Sequence, residues 1–211
     1  MIREIIAVLL AYLIGSIPTS VWIGRLFYKV DVRTKGSGNA GATNTIRVLG
    51  LKAGIPVLLF DVFKGWLAVY MAHLFYVDTG KFPDLIDLKI ILAAAAVLGH
   101  VFPIYVGFKG GKGIATLLGI GFALYPLSAL IALGIFIIVF ISSGYVSLGS
   151  ITATFTFPIT EILILGHYQY PSLMVLAILV AIFGPLMHHK NIRRLLKGEE
   201  SKFTLKNKKI K

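Results

Sequence analysis

The sequence predicts an all-α fold, a polytopic membrane bundle of seven transmembrane helices, and three observations predict it. Apolar residues make up 57% of the 211 residues and charged residues only 14%, whereas a soluble domain is nearer half apolar and a quarter charged. The apolar residues gather in runs of about twenty, the length that crosses a hydrocarbon layer as a helix. The segments between those runs differ sharply in charge, and basic loops stay on the cytoplasmic side of a membrane.

Taken in order, the first run covers residues 4–27. It follows Met1-Ile2-Arg3-Glu4 directly, with no small-residue cleavage site, so it is expected to be a retained span and not a removed signal. Further runs lie at 54–77, 89–107, 146–165 and 171–187. The stretch from Gly113 to Ser143 is too long for one ordinary span and short for two. Tyr125-Pro126 sits near its middle, and a proline inside a helix ends or kinks it. Loop charge decides between six spans and seven. The segment 25–52 carries Arg25, Lys29, Arg33, Lys35, Arg47 and Lys52 against Asp31 alone, and the chain after Met187 has nine Lys or Arg against Glu199 and Glu200. The connector 78–89 holds Asp78, Asp84 and Asp87 against Lys81 and Lys89. A break at Pro126 puts every basic segment in the cytoplasm and the acidic connector outside. The N-terminus is then outside and the C-terminus cytoplasmic. Residues 1–195 form one transmembrane domain and 196–211 a basic cytoplasmic tail.

The net charge of +12 suits an anionic membrane surface better than nucleic acid, because the bases cluster at span ends and in the tail. The absence of cysteine excludes disulfides, thiolate zinc sites and a thioester intermediate. No cluster of carboxylates offers a hard-metal site, so neither metal nor cofactor is expected.

Three polar clusters interrupt the apolar runs. The first is Lys35-Gly36-Ser37-Gly38-Asn39-Ala40-Gly41-Ala42-Thr43-Asn44, with Arg47 beyond it. It fits the dinucleotide pattern G-x-G-x-x-G, but that motif needs a preceding strand and here a membrane span precedes it. What remains is backbone able to approach an anion closely, Thr43 or Asn44 as the cap of a short helix ending at Gly50, and an arginine suited to phosphate. The second cluster is Phe108-Lys109-Gly110-Gly111-Lys112-Gly113. It is no Walker loop, since Val106 stands where the first glycine belongs and Gly113 where Ser or Thr should follow the lysine. It still places two ammonium groups in glycine-rich backbone at a span end. The third is His188-His189-Lys190-Asn191-Ile192-Arg193-Arg194-Leu195, where His188 and Asn191 share a face if the last helix runs on. Glycine-rich backbone beside fixed cations is how proteins hold phosphate.

Other polar residues rate differently. Asp61 and Lys64 stand at helical spacing inside the second span, where an isolated charge costs about 2.5–3.5 kcal/mol. A mutual pair and a functional role are equally consistent with that placement. Glu161 and His100 are expected to be structural, and Tyr145 to Ser150 to permit close helix contact. His73 and Asp78 have the His-x4-Asp spacing of an acyltransferase base dyad, but they lie at the outer end of the second span.

Together the clusters resemble the bacterial acyl-phosphate:glycerol-3-phosphate acyltransferase family of integral membrane enzymes. The resemblance covers nearly the whole chain. It includes Gly15-Ser16-Ile17-Pro18, the Gly36 to Asn44 loop with Arg47, Asp61-Val62-Phe63-Lys64-Gly65, Gly99-His100-Val101-Phe102-Pro103, Phe108 to Gly113, Tyr145-Val146-Ser147-Leu148, and His188 with Asn191, Ile192, Arg194 and Leu195. It departs at Met187, where many relatives carry arginine. The resemblance implies seven spans in the bacterial inner membrane and an active site facing the cytoplasm. It implies acyl transfer from acyl phosphate to the 1-hydroxyl of glycerol 3-phosphate, giving lysophosphatidic acid and phosphate for phospholipid synthesis. It implies catalytic roles for Ser37, Arg47, Lys112, His188 and Asn191. Substrate-binding roles follow for Gly36, Gly38, Asn39, Thr43, Asn44, Lys109, Gly110, Gly111 and Gly113. The partners expected are these two substrates and membrane lipids; oligomeric state stays open. The same basic loops would also suit the mouth of a transporter for phosphate or a phosphorylated small anion.

Overall fold

The computed structural model describes residues 2–78, 83–165 and 170–203, and every regular element among them is helical. Helices α1 (Ile2–Ser16) and α2 (Thr19–Tyr28) form the first expected span. Their axes differ by 43°, because Pro18 between them has no N–H to continue the ladder. A 3-10 turn at Val32–Thr34 leads toward α3 (Ala42–Leu49), and a corner at Gly50 turns the chain into α4 (Leu51–Tyr70). With α5 (Ala72–Phe75), α4 makes an apolar rod of 25 residues. Helix α6 (Leu85–Val101) starts on Asp84, whose carboxylate accepts the Asp87 N–H at 2.8 Å.

The long apolar stretch divides at its proline. Helix α7 (Ile114–Leu124) stops before Tyr125, and α8 (Pro126–Ser143) opens on Pro126, a first-turn position where a missing N–H is harmless. Gly144 then turns the chain into α9 (Val146–Ile159), which continues as a π-turn over Thr160–Ile164. The last pair is α10 (Pro171–Met187) and α11 (His189–Leu196). The final helix does not run straight on: the chain bends by 60° at His188. Helix α11 carries His189, Lys190, Arg193 and Arg194, so the uncharged apolar part of the pair ends at Met187.

Among the described residues, four helices are long and apolar enough to cross a membrane, and counting each bent pair as one span raises this to six. Helix α7 has 11 residues, a rise of about 16 Å at 1.5 Å per residue, roughly half the hydrocarbon thickness. A seventh crossing therefore depends on α7.

Between membrane helices lipid removes most of the hydrophobic drive, so close backbone contact does the packing. Ala7 and Ala11 of α1 meet Ala95 and Ala96 of α6 around Leu88 and Leu92. Where α4 crosses α7, a side chain at Gly119 would run into the Val62 carbonyl, and one at Gly65 into the Thr116 carbonyl. The outer faces are apolar instead: Leu59 is 63% exposed and Ile141 75%. Glu161 is buried and takes a hydrogen bond from the Ser128 hydroxyl, as a structural residue should.

Candidate active site

The first loop is built around two side chains. Asn44 is 1% exposed; its Nδ2 donates to the Val32 and Lys35 carbonyls at 2.8 and 3.1 Å, and its Oδ1 accepts the Ser37 N–H at 2.8 Å. Gly36 takes φ +61° against it, and a Cβ there would strike Asn44 Oδ1. The expected cap is displaced: Gly41 caps α3, so Thr43 and Asn44 lie inside the helix. The Asn44 amide thus shapes the loop. Arg33 is the second organiser. It donates to both Asp31 carboxylate oxygens at 3.1 and 2.9 Å, while its Nη1 reaches the Val106 and Lys109 carbonyls at 2.9 and 3.3 Å. The first loop therefore grips the main chain of the second. Hydrogen bonds from Arg33 hold the Asp31 carboxyl far below its usual range.

In the second loop, the Gly110 and Gly111 N–H groups donate to the Val101 and His100 carbonyls at 3.1 and 3.2 Å. These two amides are spent on fixing the loop to the end of α6 and do not turn toward a ligand. Gly113, at φ +78°, is the N-cap of α7. The first-turn N–H groups of α7, which no intrahelical carbonyl can satisfy, thus begin directly after Lys112.

Lys112 is where the clusters meet. Its Nζ donates to Asn191 Oδ1 at 2.5 Å. Asn191 Nδ2 donates to Glu200 Oε1 at 2.6 Å, Ser147 Oγ donates to the same oxygen at 2.7 Å, and Arg194 Nε donates to Glu200 Oε2 at 2.6 Å. Residues 198–203, part of the segment expected to be a basic cytoplasmic tail, fold back to deliver that carboxylate. The Phe203 N–H donates to the Gly144 carbonyl at 2.8 Å, the Phe203 ring meets Phe140 edge-on, and Lys202 lies over Tyr145. Burial pushes the Lys112 ammonium down to about 8; the Glu200 charge opposes that, and Arg194 and Arg47 add to it. Burial alone would raise the Glu200 carboxyl, but hydrogen bonds from Asn191, Ser147 and Arg194 hold it below its ordinary value. His188 is 3% exposed, and its Nδ1–H donates to the Gly184 carbonyl at 2.9 Å, which leaves Nε2 as the acceptor. Burial, then the Lys112 charge, lowers this imidazole to about 4, so it is neutral at pH 7.

Of the residues proposed from sequence, Lys112, His188 and Asn191 come together in one electrostatic neighbourhood, and Arg47 acts on Lys112 from the exposed side of α3. Ser37, Gly38 and Lys109 are exposed on the two loops, while Asn39 and Thr43 are half-buried there. Sequence reasoning passed over Arg33, Ser147 and Glu200. The signal for Glu200 was an acid set among nine bases after Met187. An apolar groove of about 720 Å³ lies on the opposite face of α11, lined by Phe155, Ile182, Leu186 and Leu196. His189, Arg193 and Lys197 also border it, but Lys112, His188, Asn191 and Glu200 do not. Among the described residues no group of three metal-ligating side chains occurs.

A membrane helix bundle that gathers Lys112, Arg47, Arg194, the Asn191 amide and the neutral His188 imidazole in one neighbourhood has the makings of an integral membrane site for phosphorylated ligands. The comparisons agree with that class. Residues 5–198 match the family model described as glycerol-3-phosphate acyltransferase. The chain is 45% identical to the glycerol-3-phosphate acyltransferase of Fusobacterium nucleatum over 93% of its own length and 96% of the relative's. It is 42% identical to that of Staphylococcus carnosus over 94% and 96%. A crystal structure of PlsY (YgiH), an integral membrane glycerol 3-phosphate acyltransferase in its glycerol 3-phosphate form, superposes with TM-score 0.83 at 38% identity, covering 95% of this chain and 96% of that one. The lysophosphatidic acid form of PlsY superposes with TM-score 0.80 at 36% identity, covering 96% of each. The chain belongs to the glycerol-3-phosphate acyltransferase family. It is an integral membrane acyltransferase of phospholipid synthesis.

Proposed function

We propose that this enzyme takes its acyl group from an acyl phosphate and delivers it to the 1-hydroxyl of glycerol 3-phosphate, releasing lysophosphatidic acid and inorganic phosphate. The observation that carries this reading is the Lys112–Asn191–Glu200–Arg194 chain of hydrogen bonds at 2.5–2.6 Å. There, Arg194, the Asn191 amide and the Ser147 hydroxyl donate to one carboxylate, and Lys112 stands behind Asn191, a set of donors suited to an anionic substrate group. The crystal form of PlsY named for glycerol 3-phosphate supports the acceptor.

An acyl phosphate is a mixed anhydride, so its leaving group is good and needs charge neutralisation more than a strong acid. Arg47, Lys112 and the first-turn N–H groups of α7 supply that, and fixed donors aimed at developing charge are worth about 10²–10³ in rate each. Ser37 and Asn191 hydrogen-bond the reacting oxygens, and the loops carrying Gly36, Gly38, Asn39, Thr43, Lys109 and Gly113 enclose them. The hydroxyl oxygen attacks the acyl carbon, and the carbon–oxygen bond to phosphate breaks. With a pKa of about 4, His188 is a weaker base than a phosphate monoester dianion, whose second pKa is about 6. The hydroxyl proton therefore passes to a substrate phosphate oxygen, and His188 Nε2 orients the hydroxyl.

The proposed topology has seven spans in a bacterial inner membrane, with α7 as the shortest, the N-terminus outside and the site facing the cytoplasm. The charge of the loops supports it. The test is purified protein given glycerol 3-phosphate with acyl phosphate, acyl-CoA or acyl carrier protein thioester. Product from acyl phosphate alone is expected. Equal or faster turnover of either thioester overturns the donor assignment.

A further inference from the structure

We propose that Asp61, Lys64 and His100 form a positioning node that sets the second loop, and through it Lys112, for the acceptor's phosphate; this rests on reading Lys112 as the phosphate-binding cation. Asp61 is 3% exposed, Lys64 1% and His100 7%. Lys64 Nζ stands 2.8 Å from Asp61 Oδ1 and also donates to the Ile17 carbonyl at 3.1 Å, at the break between α1 and α2. His100 Nδ1 lies 3.6 Å from the same Asp61 oxygen. The buried Asp61–Lys64 pair thus ties α4 to the kink in the first span, and the His100 ring at the end of α6 packs beside it.

The second loop rests directly on this node. The carbonyls of His100 and Val101 accept the Gly111 and Gly110 N–H groups at 3.2 and 3.1 Å. A side chain at Gly111 would run into His100 Nε2 on one side and come 2.6 Å from the Ala40 carbonyl of the first loop on the other. The imidazole is therefore packed beneath the place where the two loops touch, one residue before Lys112. A shift of the ring moves Gly111, and Lys112 moves with it.

The node does not touch substrate. The cavity at Ser16, Thr19, Asp61, Lys64, His100 and Gly111 has a volume of about 10 Å³, the space of a single water, whereas ligand pockets measure about 300–1,000 Å³. Nor does stability explain it, because a buried ion pair replaced by apolar residues of similar volume is often neutral or stabilising. What an apolar replacement loses is the directed link between α4, the first kink and the loop. Misplacement of a binding group by about 1 Å costs up to about 10²-fold.

The experiment compares three variants of the full-length protein: the double replacement Asp61→Leu with Lys64→Met, His100→Phe, and Lys112→Ala. His100→Phe keeps a ring under Gly111 without a nitrogen for Asp61, and it supplies the readout should the double variant fail to extract as a folded protein. For the double variant and for His100→Phe, KM for glycerol 3-phosphate should rise about 10-fold or more. KM for acyl phosphate and the melting temperature in detergent should stay near wild type, a split that general destabilisation does not produce. Wild-type KM for glycerol 3-phosphate in a folded node variant, with Lys112→Ala inactive, overturns the node while leaving the site intact. Normal turnover by Lys112→Ala removes the reading on which the node rests.

Discussion

Lys112→Ala is expected to lower kcat/KM for glycerol 3-phosphate by about 10²–10³-fold, the loss seen when one fixed donor to developing charge is removed. The protein should remain extractable and folded. Lys112 joins the second loop to α11 through Asn191, and its partly buried charge is where the loops and the tail meet. Its pKa of about 8 adds a pH signature. A lysine lowered by burial is charged below that value and neutral above it. The phosphate-binding cation therefore disappears as pH climbs through about 8, and wild-type kcat/KM should fall on that limb. Lys112→Arg, whose guanidinium stays protonated, should keep part of the activity and lose the alkaline fall. A wild-type profile flat to about pH 9 would contradict the role of this ammonium.

Glu200→Ala should have the second-largest effect, a fall of about 10–100-fold in kcat/KM, in line with removing the shared acceptor of a partly exposed charged pair. Three donors lose their acceptor together: Ser147 Oγ, Asn191 Nδ2 and Arg194 Nε. Arg194 and Lys112 are then left as neighbouring cations without a counter-ion. Because the Glu200 charge holds the Lys112 pKa up, its removal should move the alkaline limb to lower pH. Glu200→Gln keeps an acceptor for Asn191 and Ser147 but not the charge. It should retain more activity than alanine while showing the same shift of the limb. Unchanged pH dependence in both variants would mean that Glu200 acts only as packing.

Much of the architecture was legible in local sequence. Pro126 marks the break in the long apolar stretch because proline lacks an N–H, and α7 and α8 meet there. The loops stood out because glycine and cations are rare inside apolar runs, and Lys112, His188 and Asn191 do converge. What escaped depends on long-range pairing. Arg33 grips carbonyls more than seventy positions away, and no local pattern announces that. Asn44 reads as a ligand-binding amide until its three hydrogen bonds to the loop backbone are seen. Gly110 and Gly111 suggested a phosphate cradle, but the free carbonyls at the end of α6 take their N–H groups. Glu200 looked like tail because charge counting weighs it against the bases around it, whereas Arg194, Ser147 and Asn191 draw it inward.

The proposed site requires three chain segments to share one side of the membrane. The chain has no cysteine, so single cysteines at the exposed positions Lys35, Lys109 and Lys190 can be labelled without background. In inverted membrane vesicles, a membrane-impermeant maleimide should modify all three, and in right-side-out cells none. Labelling of any one of the three from the opposite side would contradict the shared site and the chemistry assigned to it.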